Sequence, residues 1–274
     1  MITTTIYHFL FILMGALTII NRYLAQKRVS VKIVPGSLVL ISGASSGLGR
    51  ALAIALAKKG AKIHLLGRNL QELKNTQELC RDSLSHTVVQ CDVSSQADVE
   101  LLQTQHTDQK FDLVISCAGV GQSAKTATIA EVYALYAVNV AGAIGILQAV
   151  QSHAQLLISS PQAYLPIPNR CFYASSKAAI SHYARCARMD GAKVYLASPG
   201  WFESGLRKNA IGGVGNSIKK GRTAEAVATS VIHGLERGVE ETQLGIKERA
   251  TRTLYALFGD IVQYAVGAFV AGKQ

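Results

Sequence analysis

Tyr173 and Lys177, set four apart in Tyr173-Ala174-Ser175-Ser176-Lys177, are the first pair in this sequence with an evident chemical use. On a helix that spacing puts both side chains on one face. A phenol ionises near pH ~10, too high for ready proton exchange at neutral pH. A neighbouring ammonium stabilises the phenolate and lowers that value, so the pair reads as a general acid/base. Ser160, closing an apolar run, can donate a hydrogen bond to a substrate carbonyl. Asn139, in the helical stretch before that run, can anchor a proton-relay water. A Y-x-x-x-K spacing is common by chance, so its weight depends on what else stands in order along the chain.

Upstream, an apolar run leads into Gly43-Ala44-Ser45-Ser46-Gly47-Leu48-Gly49-Arg50. A Gly-rich turn between a strand and a helix lets backbone N–H groups approach a pyrophosphate, and the helix N-terminus adds partial positive charge. The next strand pattern ends at Leu66-Gly67-Arg68-Asn69. A site for NAD usually offers a carboxylate there for the ribose 2′-hydroxyl. Here Arg68, with Arg50 as a second cation, is placed to pair with a 2′-phosphate, so NADPH is expected over NADH. Asp92 follows the third strand pattern, where an adenine amino group can be met.

These residues need a scaffold, and the chain spells one. Strand patterns at Ser37–Ser42, Lys62–Leu66, Thr87–Cys91, Phe111–Ser116, Gln155–Ser159 and Lys193–Ala197 alternate with helical ones. The helical patterns lie at Leu48–Lys59, Leu70–Leu84, Ala97–Gln105, Ile129–Gln151, Phe172–Met189 and Ala224–Arg237. Continuously apolar strands separated by helices predict an α/β fold, a doubly wound Rossmann-like parallel sheet covered on both faces. The Gly-rich, weakly patterned segment Trp201–Arg222 reads as a mobile lid over a substrate.

The chain has 274 residues, 49% of them hydrophobic, which suits one domain with a substantial core. Its formal charge of +11 is spread along the sequence. No Lys/Arg run is interleaved with aromatics, so nucleic acid is not expected as a partner; lipid headgroups and a phosphate-bearing cofactor are. Five cysteines, with no C-x-x-C pair, predict neither a zinc site nor a disulfide framework but small, buried, reduced thiols. No metal site is expected.

Ile2–Ile20 carries no charged side chain and approaches the roughly 20 residues of a tilted transmembrane helix. Arg22, Lys27, Arg28 and Lys32 follow it and nothing basic precedes it, which places the remainder on the cytoplasmic side. Residues 1–24 are thus expected to be a single-pass anchor, 25–245 the catalytic domain, and 246–274 a C-terminal amphipathic helical segment. In that last segment, apolar residues from Leu254 to Phe269 recur at three- and four-residue steps. Such a helix suits either the membrane interface or packing on protein.

The ordered set resembles the short-chain dehydrogenase/reductase family from about Ser37 to about Leu244. The resemblance rests on Gly43-x-x-x-Gly47-x-Gly49, Cys91-Asp92-Val93, Ala118-Gly119, Asn139, Ser160, Tyr173-x-x-x-Lys177 and Pro199-Gly200. It implies hydride transfer from the nicotinamide C4, with Tyr173 delivering the proton and Lys177 also binding the nicotinamide ribose. Ser160 would orient the carbonyl, Asn139 would hold the relay, Pro199-Gly200 would flank the nicotinamide, and Ser204 would lie near its carboxamide. Ser45, Ser46, Leu48, Asn69, Val93, Ala118 and Gly119 complete the expected cofactor contacts. Family members often pair through helices corresponding to Ile129–Gln151 and Phe172–Met189, so a homodimer is a further expectation. One departure stands out. Where the family usually has Asn-Asn-Ala-Gly this sequence reads Ser116-Cys117-Ala118-Gly119, which puts local support of the sheet centre in doubt.

With an apolar N-terminal helix and a serine-containing Gly-rich turn, the organisation resembles the 3-ketodihydrosphingosine reductase and 11β-hydroxysteroid dehydrogenase groups. Trp201, Phe202, Leu206 and Ile211 can line an apolar pocket. The implied function is NADPH-dependent oxidoreduction of a hydrophobic, lipid-like ketone or alcohol. Two other readings are a non-catalytic NADPH-binding regulatory module at the membrane and a structural membrane protein. The intact Ser160, Tyr173 and Lys177 set argues against the first, and failure to bind either nicotinamide cofactor would point to the second.

Overall fold

The structure is a computed structural model that describes residues 29–122, 124–202, 210–211, 221–243, 253 and 259. The expected anchor at 1–24, nearly all of the 246–274 segment, and Ser204 and Leu206 lie outside the described residues.

Seven strands form one parallel sheet in the order β3-β2-β1-β5-β7-β8-β9. They are β1 (Leu38–Ser42), β2 (Lys62–Gly67), β3 (Thr87–Gln90), β5 (Leu113–Ser116), β7 (Gln155–Ile158), β8 (Val194–Ser198) and β9 (Glu241–Gln243). Two short strands, β4 (Lys110–Phe111) and β6 (Gln151–Ser152), pair separately. The connecting helices are α1 (Gly47–Lys58), α2 (Leu70–Leu79), α3 (Gln96–Gln105), α4 (Ile129–Tyr136), α5 (Ala143–Ala149), α6 (Cys171–Met189) and α7 (Ala224–Glu236). The fold is therefore the expected Rossmann-like α/β sheet.

The strands are apolar throughout because each feeds two cores. Val39, Ile41, Leu113 and Ile115 pack on one face with Leu52 and Leu56 of α1 and Val231 of α7. Leu40, Val114 and Leu157 pack on the other with Ile146 and Leu147 of α5 and Ile180 of α6. Successive strand residues point to opposite faces, so both sets must be apolar. The strand order reverses between β1 and β5, where crossovers diverge and leave a crevice at the carboxyl ends.

Three expected elements are altered, and β6 and β9 are strands that the sequence pattern did not mark. The helix foreseen to Leu84 stops at Leu79, and a 3₁₀ turn at Ser83–Ser85 follows Asp82, which sits in the left-handed region at φ 55°. The strand foreseen from Phe111 is divided, with Phe111 in the small sheet and Leu113 starting β5. The long helix from Ile129 is divided into α4, a π-helical stretch Ala137–Gly142 and α5, ending at Ala149. Such π stretches occur frequently at functional sites; this one contains Asn139. By length and hydropathy Ile129–Ala149 is the one helical span among the described residues long and apolar enough to cross a membrane. Ile146 and Leu147 commit it instead to the sheet.

Cys80 and Cys91 are buried and all five thiols are free, but Cys171 and Cys186 are exposed on α6. The expectation of buried thiols fails there because both residues fall on the solvent side of an amphipathic helix, a position that residue type alone does not reveal.

Candidate active site

The turn after β1 takes the shape its glycines permit. Gly43 and Gly47 adopt φ of 70° and 53°, the left-handed region that costs glycine nothing. A Cβ on Gly49 would lie 2.2 Å from the Gly43 carbonyl oxygen, so only glycine lets α1 begin this close to the strand. Asn69, Ser95, Thr128 and Thr223 each cap their own helix by accepting a backbone N–H. Ser46, at the N-cap of α1, makes no such bond, and the first turn carries no acidic residue. The helix start therefore presents unsatisfied N–H groups and its positive end to the crevice. This geometry fits a pyrophosphate.

The crevice has a volume of about 530 Å³. At one end it is lined by Gly43, Ser45, Ser46, Gly47, Leu48 and Gly49, with Arg68, Asp92 and Val93 beyond them. Arg68 Nη1 lies 3.8 Å from Asp92 Oδ2, and the Arg68 side chain is 64% exposed. An ion pair that exposed holds its partners weakly, so the guanidinium remains open to an incoming phosphate. Asp92 is oriented by Ser94, whose N–H and hydroxyl both donate to Oδ1. Two expected contacts fall elsewhere. Asn69 turns its Oδ1 to the Glu72 N–H as the cap of α2 and does not line the crevice. Arg50 is held behind the turn by Glu72 at 2.5 Å, Thr76 and the Ser45 carbonyl; it braces the turn from the rear.

At the other end Ala118, Gly119, Ser160, Tyr173, Lys177, Pro199 and Gly200 line the same crevice. Ser160 follows β7 and accepts the Gln162 N–H, Tyr173 lies in the first turn of α6, and both side chains reach the crevice. Lys177 Nζ lies 5.9 Å from the centroid of the Tyr173 ring and donates to the Ile158 carbonyl at 2.9 Å. A phenol, an ammonium and a hydroxyl from separate stretches thus converge. Burial raises the Tyr173 pKa, with the Ser160 hydroxyl and the Arg170 charge working the other way. Arg170 is a cation that the sequence reading did not single out, three residues before the tyrosine it acts on. Burial also depresses Lys177, from 10.5 to about 8, against a smaller opposing influence from Cys117.

That depression has a measurable consequence. The folded state gives up the Lys177 proton near pH 8 and the unfolded chain near 10.5. Between these values the unfolded state binds more protons, so this group makes stability rise with pH. At pH 7 the buried charge opposes folding by up to about 3 kcal/mol, the two-and-a-half-unit shift converted at about 1.4 kcal/mol per unit. Lys177→Met is expected to raise the thermal midpoint at pH 7, with the gap to the wild type closing by pH 10. Thermal melts across that range check it; a gap that stays constant or widens contradicts it.

Asn139 is fully buried but does not line the crevice. Its Oδ1 accepts the Val120 N–H at 2.8 Å, and its Nδ2 donates to the Val120 carbonyl and to Ser176 Oγ. The amide is thereby committed to joining the loop after β5 with α6. The support that Ser116-Cys117 put in doubt comes from Ser42, whose fully buried hydroxyl accepts the N–H groups of Cys117 and Ala118 at 3.1 and 3.2 Å. A polar residue ending an apolar strand was the only sequence signal for it. Gln162, Tyr164, Leu165, Ile167 and Phe202 also line the crevice beside Ser160. Of these the sequence singled out Phe202 alone, since nothing local marks the others.

A parallel sheet with a crevice at its switch point, an open helix start and a buried Tyr–Lys–Ser cluster thus share one site. Residues 37–213 match the short chain dehydrogenase profile, and the chain belongs to the short-chain dehydrogenase/reductase family. It is 28% identical over 201 residues to the 11-beta-hydroxysteroid dehydrogenase A of Sesamum indicum, a match spanning 68% of this chain and 58% of that protein. It is 31% identical to the dehydrogenase/reductase SDR family protein 7-like of Drosophila melanogaster, over 74% of this chain and 69% of that one. Among solved structures, a short-chain dehydrogenase/reductase from Burkholderia phymatum in complex with NAD superposes with a TM-score of 0.73 at 21% identity. That superposition covers 84% of this chain and 96% of that one. One from Sphingobium yanoikuyae in complex with NADPH gives 0.72 at 21% identity, covering 82% and 95%. At those identities the structures share the fold.

Proposed function

We propose that this protein is an NADPH-dependent oxidoreductase that interconverts a hydrophobic, lipid-like ketone and its alcohol. The observation that carries the reading is the convergence of Ser160, Tyr173 and Lys177 on the same crevice as the open start of α1. The group that this crevice would hold is a reduced nicotinamide, which would supply the hydride for the carbonyl carbon. Ser160 donates a hydrogen bond to the carbonyl oxygen as negative charge develops on it. Tyr173 gives that oxygen its phenolic proton, and the Lys177 ammonium faces the phenolate left behind. Asn139 holds Val120 and Ser176 in place on either side. Ser45, Ser46 and the N–H groups of Gly47, Leu48 and Gly49 would take the pyrophosphate, Asp92 and Val93 the adenine, and Ala118, Gly119, Pro199 and Gly200 the nicotinamide end.

Preference for NADPH rests on Arg68, a cation in the crevice with only a loosely held partner. Arg68→Ala is expected to weaken NADPH binding about 10- to 100-fold, as loss of a charge-assisted bond to a phosphate does, and to change NADH binding about twofold at most. Fluorescence titration with each cofactor checks it; equal losses for both would end the selectivity argument.

The hydrophobic substrate class is supported by Leu165, Ile167, Trp201 and Phe202 at the wall beside Ser160. The same reading includes a membrane anchor in Ile2–Ile20, a cytoplasmic catalytic domain and contact with membrane lipid. Pairing of two copies over α4 and α6 is supported by the exposed Ile129 and Tyr133. The direct test is the full chain in detergent, with NADPH or NADH, against ketones of increasing chain length and polarity. Loss of NADPH absorbance with apolar ketones is expected. No turnover of any ketone, with cofactor bound, would favour a binding module instead.

A further inference from the structure

We infer that Gln122 is a positioning residue: from the loop after β5 it caps the helix that carries Tyr173, and so sets the place of the proton donor. The inference rests on the oxidoreductase reading above.

The first turn of α6 leaves backbone N–H groups without partners in their own helix. Side chains at the N-cap usually accept those of the second and third helical residues. The N-cap here is Arg170, which makes no such bond, and the two N–H groups in question belong to Phe172 and to Tyr173 itself. Both donate to Gln122 Oε1, at 3.0 and 3.1 Å, across some fifty residues of sequence. Gln122 is fully buried. Its Nε2 donates to the Ala124 carbonyl at 2.9 Å, which fixes the amide with the oxygen toward the helix.

The backbone around Gln122 joins two walls of the crevice. Gly119, Val120 and Gly121 line it, and Val120 is held by Asn139 on both its N–H and its carbonyl. On the other side Gln122 bridges to Ile211, with Ile211 N donating to the Gly121 carbonyl and Ala124 N to the Ile211 carbonyl. One carboxamide therefore ties the catalytic helix start to a loop already anchored to the cofactor wall and paired with Ile211. A displacement of this loop reaches the backbone of Tyr173 itself through the Gln122 amide, whereas the Asn139 link meets α6 one residue before Lys177. A structural cap placed elsewhere on the molecule would stabilise its helix without touching the chemistry.

The test uses the full-length protein in detergent, with Gln122→Leu, which removes the cap, and Gln122→Glu, which keeps an acceptor for both N–H groups. Gln122→Leu is expected to lower kcat about 10- to 100-fold, the scale of a ~1 Å misplacement, with NADPH affinity held within about threefold. Gln122→Glu should restore most of kcat and move the alkaline limb of carbonyl reduction to higher pH, because a carboxylate near the phenol raises its pKa. Independently of turnover, amide exchange at Phe172 and Tyr173 should accelerate in Gln122→Leu while Ile180 stays protected. Retention of wild-type kcat in Gln122→Leu, or equal loss of kcat and cofactor affinity in both variants, overturns the inference. An inactive wild type sinks the oxidoreductase reading instead, and exchange at Phe172 and Tyr173 still decides whether the cap exists.

Discussion

Tyr173→Phe is expected to lower carbonyl reduction about 10³-fold, within the span general acid catalysis contributes, while NADPH still binds. The substitution removes one oxygen and leaves the ring volume in place. The ring stays buried, and the cost to folding is small, about 1 kcal/mol for the lost hydroxyl. A large fall in kcat with cofactor affinity and thermal midpoint nearly unchanged is the pattern that separates a proton donor from a packing residue. Single-turnover reduction together with NADPH titration checks it, and a variant retaining a tenth of wild-type kcat would remove Tyr173 from the chemistry. The wild-type pH profile has a definite sign. Burial raises the phenol's pKa, so Tyr173 holds its proton through neutral pH and reduction declines only in the alkaline range. Alcohol oxidation needs the phenolate and rises over that same range.

Gly49→Ala is expected to abolish cofactor binding at concentrations that saturate the wild type. The new Cβ would stand 2.2 Å from the Gly43 oxygen and 2.7 Å from its carbonyl carbon. Both obstacles are backbone, and Gly43 itself has no room to retreat, since a Cβ there would meet Ala118 Cα and N at 2.8 Å. The turn must therefore open, moving the α1 N–H groups away from the position that receives a pyrophosphate, at a packing cost of about 1–3 kcal/mol. Gly145→Ala is the control. A Cβ there meets Val99 Cγ1 at an ordinary 3.6 Å, and alanine within a helix gains about 1 kcal/mol over glycine. Cofactor titration and melts of the two variants check the contrast. Undiminished NADPH binding by Gly49→Ala would show that the turn is not the phosphate seat.

The sequence by itself determined the layering and most of the element order. Fully apolar runs such as Leu38–Ile41 and Leu113–Ile115 had to be strands buried on both faces, and the glycines at 43, 47 and 49 had to be a tight turn. Those inferences depend on residues adjacent in the chain, where periodicity and backbone freedom act locally. The ordered Ser160, Tyr173 and Lys177 were legible for the same reason, the first just past a strand and the other two within the first two turns of a helix. Only the tertiary structure decided what those elements bring together. It turned Arg50 and Asn69 away from the crevice, because Glu72 and the start of α2 offered nearer partners. It made Ser42 the support for the Ser116-Cys117 turn and bent the helix at Asn139 into a π stretch. It also set Gln122 under a helix that begins fifty residues later. Such contacts are fixed by strand order and crossover geometry, which place distant residues side by side and leave no periodic trace in the sequence around them.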